Sequence, residues 1–316
     1  MNLSLIGCGY WGKNYVNTFE NISEAKLKYV YDAAKPSIIL PKQILFTQNL
    51  DDILKDPEIK GIIIAIPTRK MYEVVKKCLE SGKHVLMEKP MTESSKKAKQ
   101  LIDIAKKHNS ILMVGHVFNY HPAIIKLKEL IDQKELGNIK HIYSIRVAPG
   151  PVRNSNEINA LWDLAPHDIS IFLYLLGENP IHTKAFATHF LREEVMDSAS
   201  FSLKFKDIMA EAHVRWWDAE KIRKFTVIGD KRIAIFDELA QEKLKVYNKK
   251  VEIVNGKTKI IDEGSYAPEI GNISPLENQC RHFIGCIEKG KKPLTDGMNG
   301  YNVVKILEEI ERSIKK

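Results

Sequence analysis

The chain begins Met1-Asn2-Leu3-Ser4-Leu5-Ile6-Gly7-Cys8-Gly9-Tyr10-Trp11-Gly12, a short apolar run that leads directly into three glycines with the spacing G-x-G-x-x-G. The apolar run predicts a strand, and the residues from Lys13 to Glu20 predict a helix directly behind the glycines. A second apolar run, from Leu27 to Tyr31, predicts a strand that ends on Asp32. This order of strand, glycine turn, helix and strand is typical of a unit that binds a dinucleotide.

Each residue of the glycine turn has a predicted task. Gly7 lets the chain turn sharply off the strand, Gly9 lets backbone N–H groups approach a pyrophosphate, and Gly12 lets the helix pack close to the strand. The N-terminus of the helix offers further N–H groups and a positive dipole end to the phosphates. Tyr10 and Trp11, between the glycines, are predicted to contact the same cofactor. The alternative is a glycine-rich turn without a ligand, but the position between a strand and a helix favours the nucleotide.

The acidic residue at the end of the second strand indicates which dinucleotide is bound. Asp32 lies twenty residues after Gly12. A carboxylate there can accept hydrogen bonds from both hydroxyls of the adenosine ribose, and it repels a 2′-phosphate. The sequence therefore predicts NAD as the cofactor, with NADP less favoured.

Length and composition indicate a globular protein of two domains, which we place at 1–121 and 122–316. The chain has 316 residues, of which 44% are hydrophobic and 28% are charged. No apolar run approaches the ~20 residues that span a bilayer, and the N-terminus lacks the pattern of a signal peptide. We therefore expect a cytoplasmic protein without a membrane partner. The four cysteines lack the spacing of a zinc site, and we predict no metal.

The net charge of +8 raises the question of a nucleic-acid partner. The lysines are spread along the chain, mostly on the polar faces of predicted helices. Because no lysine- or arginine-rich block alternates with exposed aromatic residues, we expect no nucleic-acid partner.

Strand and helix patterns alternate as far as Gly115. The run from Gly61 to Ile66 is continuously apolar, as in a parallel strand that is covered on both faces. The alternation predicts βαβ units and a parallel sheet, which binds its ligands at the carboxyl ends of the strands. Four residues follow such ends and are predicted to converge on one crevice: Gly7, Asp32, Pro67 and Lys89.

The pattern changes near residue 121. Strict alternation of apolar and polar residues over 199–206 and 210–217 predicts an antiparallel sheet with one buried face. Two helices, over 276–288 and 300–313, are predicted to close the chain. The more polar face of the sheet carries Trp217, and this face is either an oligomer surface or an ordinary solvated face with one exposed tryptophan.

A lysine follows one of the predicted strands and is a candidate for chemistry. Lys89 lies between Glu88 and Pro90, where a loop residue can point into the crevice and exchange a proton with a hydroxyl or carbonyl group. The alternative is a solvated surface lysine. The next helix is predicted to begin with Thr92 as its N-cap.

A carboxylate and an imidazole stand four residues apart in the second half, within the segment Trp162-Asp163-Leu164-Ala165-Pro166-His167-Asp168. Pro166 favours a helix start, and Asp163 and His167 share one face if that turn is helical. A carboxylate can hold an imidazole in one tautomer and raise its basicity, as a general acid–base requires. The alternative is that Asp163 caps the helix and His167 packs at its start.

A third, weaker group follows the strand that ends at Gly115. It consists of His116, Tyr120 and His121, which could line a substrate pocket or could equally be hinge residues between the domains.

These residues carry a resemblance to a known family. The chain resembles the glucose–fructose oxidoreductase / inositol dehydrogenase / MocA family of NAD(P)-dependent oxidoreductases in the glycine turn, in the segment from Gly82 to Pro90, and in the pair Asp163 and His167. The resemblance implies an α/β fold, with an N-terminal Rossmann parallel sheet and a C-terminal α+β domain with an open, mostly antiparallel sheet. It also implies a homodimer or homotetramer that associates through the second sheet.

The resemblance implies roles for individual residues. The catalytic lysine of the family falls on Lys89, and its second-domain aspartate and histidine fall on Asp163 and His167. Lys89 or His167 takes the hydroxyl proton, Asp163 orients or relays, and Lys89 also binds the substrate oxygen. The predicted cofactor contacts are Gly7, Gly9, Tyr10, Trp11, Gly12, Asp32, Pro67, Glu88 and Lys89, and the predicted substrate contacts are Lys89, Tyr120, Asp163 and His167.

We therefore expect an oxidoreductase that transfers a hydride between a nicotinamide and a hydroxyl or keto carbon of a sugar or nucleotide sugar. One alternative is a sensor that binds NAD without catalysis, although such a protein does not need Lys89, Asp163 and His167 together. A second alternative is a dehydrogenase of a cyclic substrate that is not a sugar.

Overall fold

The contacts of the chain divide it into two units. In the computed structural model, which describes residues 1–150, 158–190 and 193–315, the first unit is Met1–Tyr120 with Ile273–Lys305 and the second is His121–Asn272 with Ile306–Lys316. The predicted domains were 1–121 and 122–316, so Ile273–Lys305 lies in a different unit from the one we expected.

The first unit is built on a six-stranded parallel sheet. Its strands are β1 (Asn2–Ile6), β2 (Lys26–Tyr31), β3 (Leu45–Thr47), β4 (Ile59–Ile64), β5 (His84–Met87) and β6 (Leu112–Val114). They are ordered β3-β2-β1-β4-β5-β6, and every neighbouring pair is parallel. This confirms the predicted Rossmann sheet, and its order reverses between β1 and β4, where such sheets bind nucleotides.

Five helices belong to this unit. They are α1 (Gly12–Phe19), α2 (Asp51–Leu54), α3 (Thr68–Glu80), α4 (Ser95–Lys107) and α7 (Pro275–Lys289). The prediction that Thr92 caps α4 is wrong, because Ser94 adopts the extended N-cap conformation and its hydroxyl accepts the N–H of Lys97. Thr92 instead donates its hydroxyl hydrogen to the carbonyl oxygen of Ser94.

Helix α7 explains why the C-terminal segment belongs to the first unit. Its buried residues Cys280, Phe283 and Ile284 join the same apolar cluster as Leu3 and Tyr15 from the start of the chain. The sequence pattern showed that α7 has an apolar face but not which sheet this face covers.

The second unit contains an eight-stranded sheet. Its strands are β7 (Ile139–Pro149), β8 (His182–Thr188), β9 (Ser198–Lys204), β10 (Met209–Arg215), β11 (Trp217–Gly229), β12 (Ile233–Asp237), β13 (Leu244–Val254) and β14 (Lys257–Tyr266). They are ordered β14-β13-β12-β11-β7-β10-β9-β8. Strands β7 and β10 are parallel, and the other neighbouring pairs are antiparallel. This confirms the predicted mostly antiparallel sheet.

The alternation along β9 and β10 has the predicted effect. The apolar residues of both strands are buried, among them Phe201, Leu203 and Val214, whereas Glu211 between them is exposed. One face of the sheet is therefore packed against the interior of the second unit.

Three helices complete the elements of the chain: α5 (Pro122–Asp132), α6 (Ala160–Leu176) and α8 (Gly297–Ile314). The prediction that a helix starts at Pro166 is wrong, because α6 begins at Ala160, behind the N-cap Asn159, and Pro166 lies inside it. Helix α8 extends across the division of the chain into units. Within the described ranges, no helix is both long enough and apolar enough to cross a bilayer.

Candidate active site

The glycine turn between β1 and α1 has the geometry that its sequence predicts. Gly7 has a φ of +93°, and a Cβ there would lie 2.4 Å from the carbonyl oxygen of Ala65. A Cβ on Gly12 would lie 2.0 Å from the carbonyl oxygen of Gly7. A Cβ on Gly9 would meet no atom within 4 Å. Gly7 and Gly12 are therefore required by the fold itself, whereas Gly9 keeps open space beside the turn.

The N-terminus of α1 retains its positive dipole end. The N-cap residue is Trp11, which makes no side-chain capping hydrogen bond, and the first turn of the helix contains no acidic residue. Tyr10 is 69% exposed, and the ammonium group of Lys13 lies 5.3 Å from the centre of its ring. An anion placed here would meet an uncompensated helix dipole and a cation.

Asp32 is linked to this turn. Its Oδ2 accepts the backbone N–H of Cys8 at 2.7 Å, and the N–H of Gly7 donates to the carbonyl oxygen of Tyr31 at 2.8 Å. The carboxylate therefore lies beside the glycine turn, as the ribose-binding role requires. The open space at Gly9 and the position of this carboxylate together fit a dinucleotide.

Three other predicted residues follow the strands of the same sheet. Pro67 follows β4 and precedes α3, and Glu88 and Lys89 directly follow β5. The parallel sheet brings these ends to one edge, together with Gly7 and Asp32. Lys89 is half-buried there.

Glu88 is held by two residues that the sequence analysis did not single out. Its Oε1 accepts the hydroxyl of Tyr15 at 2.7 Å, and the side-chain amide of Gln279 donates to the same tyrosine oxygen at 3.1 Å. Burial, and then the charge of Glu88, raise the pKa of Tyr15 well above its ordinary value, so its hydroxyl keeps its proton. Tyr15 looked like part of the apolar face of α1, and Gln279 lies far along the chain, so no local signal pointed to this contact.

His116 follows β6 in the same unit and is 1% exposed. Neither of its ring nitrogens has a hydrogen-bond partner among the residues that the structure describes. Burial, and then the positive charge of Lys89, lower the pKa of His116 to about 3, so the imidazole is neutral at ordinary pH. A neutral imidazole therefore lies within electrostatic reach of the candidate lysine.

The other two residues of the third group have structural contacts. The hydroxyl oxygen of Tyr120 lies 3.0 Å from the Oγ1 of Thr295, and Tyr120 is buried in the first unit. His121 is the N-cap of α5, where its Nδ1 accepts the N–H of Ala123 at 3.1 Å. The division between the two units falls between Tyr120 and His121. A substrate contact of Tyr120 stays a prediction.

Helix α6 of the second unit carries the carboxylate and the imidazole. The turn that contains Asp163 and His167 is helical, so the two residues lie one turn apart on one face. Asp163 does not cap the helix, since the cap is Asn159, whose Oδ1 accepts the N–H of Trp162 at 3.0 Å. Asp163 is 9% exposed and His167 is half-buried.

Two contacts hold this part of α6 within the second unit. The carboxylate of Asp163 accepts the indole N–H of Trp216 at 3.2 Å. Asp168 forms a bidentate, buried ion pair with Arg146 on β7, with N–O distances of 3.0 and 3.2 Å. The sequence analysis singled out neither Trp216 nor Arg146 for such a role, because both lie far from α6 in the chain.

A parallel sheet in this order, with a glycine turn and a carboxylate at its carboxyl edge, defines a dinucleotide-binding protein of the Rossmann class. A model described as an oxidoreductase family with an NAD-binding Rossmann fold matches residues 1–116, and the model of the GFO/IDH/MocA C-terminal domain matches residues 124–235. The chain belongs to the GFO/IDH/MocA family of oxidoreductases, which confirms the resemblance seen in the sequence.

Individual relatives match over nearly the whole length. UDP-N-acetylglucosamine 3-dehydrogenase of Acidithiobacillus ferrooxidans is 24% identical over 305 residues, covering 96% of this chain and 94% of the relative. Inositol 2-dehydrogenase of Rhizobium meliloti is 21% identical over 328 residues, covering 99% and 97%. The structure of GenD2 from gentamicin A biosynthesis in complex with NAD is 20% identical, covers 100% of this chain and 94% of that chain, and superposes with a TM-score of 0.83. This last likeness shows the shared fold.

Proposed function

We propose that this oxidoreductase transfers a hydride between NAD and a hydroxyl or keto carbon of a sugar or nucleotide sugar. The observation that carries the proposal is the edge of the first sheet, where the glycine turn, Asp32 and Lys89 all follow neighbouring strands. The relatives named above act on a nucleotide sugar and on inositol, which supports a polyhydroxylated substrate.

The cofactor preference follows from Asp32. When bound, NAD supplies the carbon that accepts or returns the hydride. In this proposal the glycine turn and the start of α1 bind its pyrophosphate, with Gly9 leaving room for close approach, and Asp32 accepts the ribose hydroxyls. A negative carboxylate at this position disfavours the 2′-phosphate of NADP.

The proton is handled by residues of both units. We assign the substrate oxygen to Lys89, whose ammonium group can donate a hydrogen bond to it. We assign the removal of the hydroxyl proton to His167 or Lys89, and the orientation of the imidazole to Asp163 one helical turn away. The retention of all three residues supports catalysis over the alternative of a sensor.

The test is a panel of sugars that includes UDP-N-acetylglucosamine and myo-inositol, supplied with NAD⁺ or NADP⁺ and monitored through the absorbance of the reduced cofactor. We expect turnover of a panel member with NAD⁺, and a loss of about 10²- to 10⁴-fold in kcat in Lys89→Met, since general acid–base groups contribute on that order. The matched control is Lys99→Met on the exposed side of α4, where the pair Lys99–Asp103 is solvated. Absence of turnover, or a Lys89→Met enzyme as active as the control, contradicts the proposal.

We also propose a homo-oligomer that associates through the exposed face of the second sheet. A groove of about 770 Å³ crosses this face, and its lining includes Phe186, which is 80% exposed, Met209 at 39% and Tyr143 at 37%. Large apolar side chains on the central strands of an open sheet favour a second copy of the same face.

The oligomer has its own test. Phe186→Glu is expected to lower the molar mass measured by light scattering on a sizing column, because it places a charge on the apolar face. Ile39→Glu is the control, since Ile39 is 98% exposed in the first unit. An unchanged mass in Phe186→Glu, or the same loss in the control, rules out this face.

A further inference from the structure

Trp216 lies directly behind β10 and is 1% exposed. Its backbone N–H donates to the carbonyl oxygen of Asp197 at 3.0 Å. Its ring belongs to a small apolar cluster with Ala160 and Val195, against which Leu164 also packs. The indole is therefore fixed by its backbone and by its packing, and its one polar atom points in a defined direction.

That polar atom meets the candidate carboxylate. The Nε1–H of Trp216 donates to Oδ2 of Asp163 at 3.2 Å, and both side chains are buried. An indole is a donor only, so its hydrogen bond requires an acceptor oxygen. A hydrogen bond to a charged group in a buried setting is stronger than one between neutral groups.

Helix α6 does not depend on this hydrogen bond for its position. Its N-terminus is capped by Asn159, and one turn beyond Asp163 the helix is held by the bidentate ion pair of Asp168 with Arg146. Loss of the indole N–H therefore leaves the helix in place and frees the carboxylate to rotate about its last side-chain bond. The contact orients a functional group that the fold has already placed.

We propose that Trp216 is a positioning residue for Asp163, holding its carboxylate in the rotation that serves His167 during proton transfer. The inference rests on the proposed function, in which Asp163 orients the imidazole. A carboxylate that rotates away no longer fixes the tautomer of that imidazole, so the loss is expected in kcat. The affinity for NAD is expected to stay unchanged, because the nucleotide residues lie in the first unit.

The first test is spectroscopic and needs no substrate. In the full-length protein labelled with ¹⁵N at tryptophan, the indole N–H resonance of Trp216 is expected at lower field than that of an unbonded indole. It is expected to move upfield in Asp163→Leu, which removes the acceptor. A resonance that does not respond to Asp163→Leu shows that the contact does not exist in solution and overturns the inference.

The second test is kinetic and uses the panel sugar that the enzyme turns over. Trp216→Phe removes the N–H and keeps an aromatic ring, and β-(3-benzothienyl)alanine at 216 replaces only the N–H by sulfur, which preserves the packing. We expect both to lower kcat about tenfold or more, with the KM for NAD within twofold of wild type. The matched control is Trp217→Phe, since Trp217 is 55% exposed and is not assigned to catalysis.

A double-mutant cycle distinguishes positioning from a general loss of structure. If Trp216 acts through Asp163, then Trp216→Phe has little further effect on the residual kcat of Asp163→Asn. Wild-type kcat in the benzothienylalanine protein, or an equal loss in the Asp163→Asn background, overturns the inference while the proposed function stands. Full activity of Asp163→Asn itself overturns the catalytic assignment of Asp163, and the inference with it.

Discussion

The carboxylate of Asp32 accepts the backbone N–H of Cys8, with 2.7 Å between the nitrogen and Oδ2. The residue to which we assign cofactor preference therefore also holds the glycine turn. A substitution at Asp32 consequently changes two properties, and the variant has to be chosen so that the charge is tested separately from the acceptor.

Asp32→Asn keeps an acceptor oxygen and removes the charge. We expect it to raise the affinity for NADPH relative to NADH by about ten- to a hundredfold, since juxtaposed like charges cost several kcal/mol. Fluorescence titration with both reduced cofactors measures this ratio. Asp32→Ala is the companion variant, and because it leaves the N–H of Cys8 without this acceptor, it should also lose about 1–3 kcal/mol of stability. An unchanged ratio in Asp32→Asn contradicts the assignment.

The glycines of the turn separate ligand room from folding. Gly9→Ala places a methyl group in open space, so we expect wild-type thermal stability with NADH affinity at least about tenfold weaker, equivalent to ~1.4 kcal/mol. Gly12→Ala places a Cβ 2.0 Å from a backbone oxygen, so we expect a loss of about 1–3 kcal/mol or more in the free energy of unfolding. Thermal unfolding and NADH titration on the same samples measure both. A Gly9→Ala protein that binds NADH like wild type shows that the space at Gly9 is not used by the cofactor.

The buried ion pair between Arg146 and Asp168 can be tested by breaking and then replacing it. Arg146→Met leaves a buried carboxylate without this partner, and we expect a loss of about 3–5 kcal/mol in urea unfolding. The double variant Arg146→Met/Asp168→Leu should recover most of that loss, because no charge remains buried at the site. Lys99→Met, at an exposed pair, is the control and should cost less than about 1 kcal/mol. Equal costs for Arg146→Met and Lys99→Met would show that burial of the pair does not matter.

His116 predicts how stability depends on pH. Its pKa is lowered to about 3 in the folded protein from an ordinary value of 6.5, so between these values the unfolded chain binds a proton that the folded chain does not. The free energy of unfolding therefore rises with pH across this window, and the contribution is complete above pH ~6.5 and lost as the pH falls toward 3. His121, with a pKa lowered to about 4 by burial, acts in the same direction.

His116→Asn removes one of these two groups. Over pH 4.5 to 6, the slope of unfolding free energy against pH should become shallower by about 1.4 kcal/mol per pH unit, which corresponds to one proton. Urea unfolding at several pH values measures the slope, and His182→Asn at an exposed position is the control. If both variants keep the wild-type slope, His116 is not held neutral by burial.

Local patterns predicted the parts of the site that depend on neighbouring residues. The glycine turn, the carboxylate at the end of β2 and the buried alternation of β9 and β10 each follow from short-range spacing, and the structure confirms the elements that contain them. Helix α6 was found, but its start was placed six residues late because Pro166 looked like a first-turn proline. The true cap, Asn159, carried an ordinary N-cap signal that the proline outweighed in our interpretation.

The contacts that sequence reasoning missed are long-range. Gln279 meets Tyr15 from 264 residues away, and Trp216 meets Asp163 from 53 residues away. A glutamine in an amphipathic helix and a tryptophan at a strand end look like ordinary core or surface residues until the fold places them. The roles of Lys89, Asp163 and His167 stay predictions that the variants above address.

The return of the chain at Ile273 to the unit that it left after Tyr120 has a consequence for recombination. A chimaera that takes residues 1–120 from one homologue and the remainder from another inherits β1 from one parent and Phe283 from the other, although these residues pack in one cluster. Exchange of the nucleotide-binding half between enzymes of this kind therefore requires two inserted segments that have evolved together. A single crossover near residue 121 separates residues that share an interior.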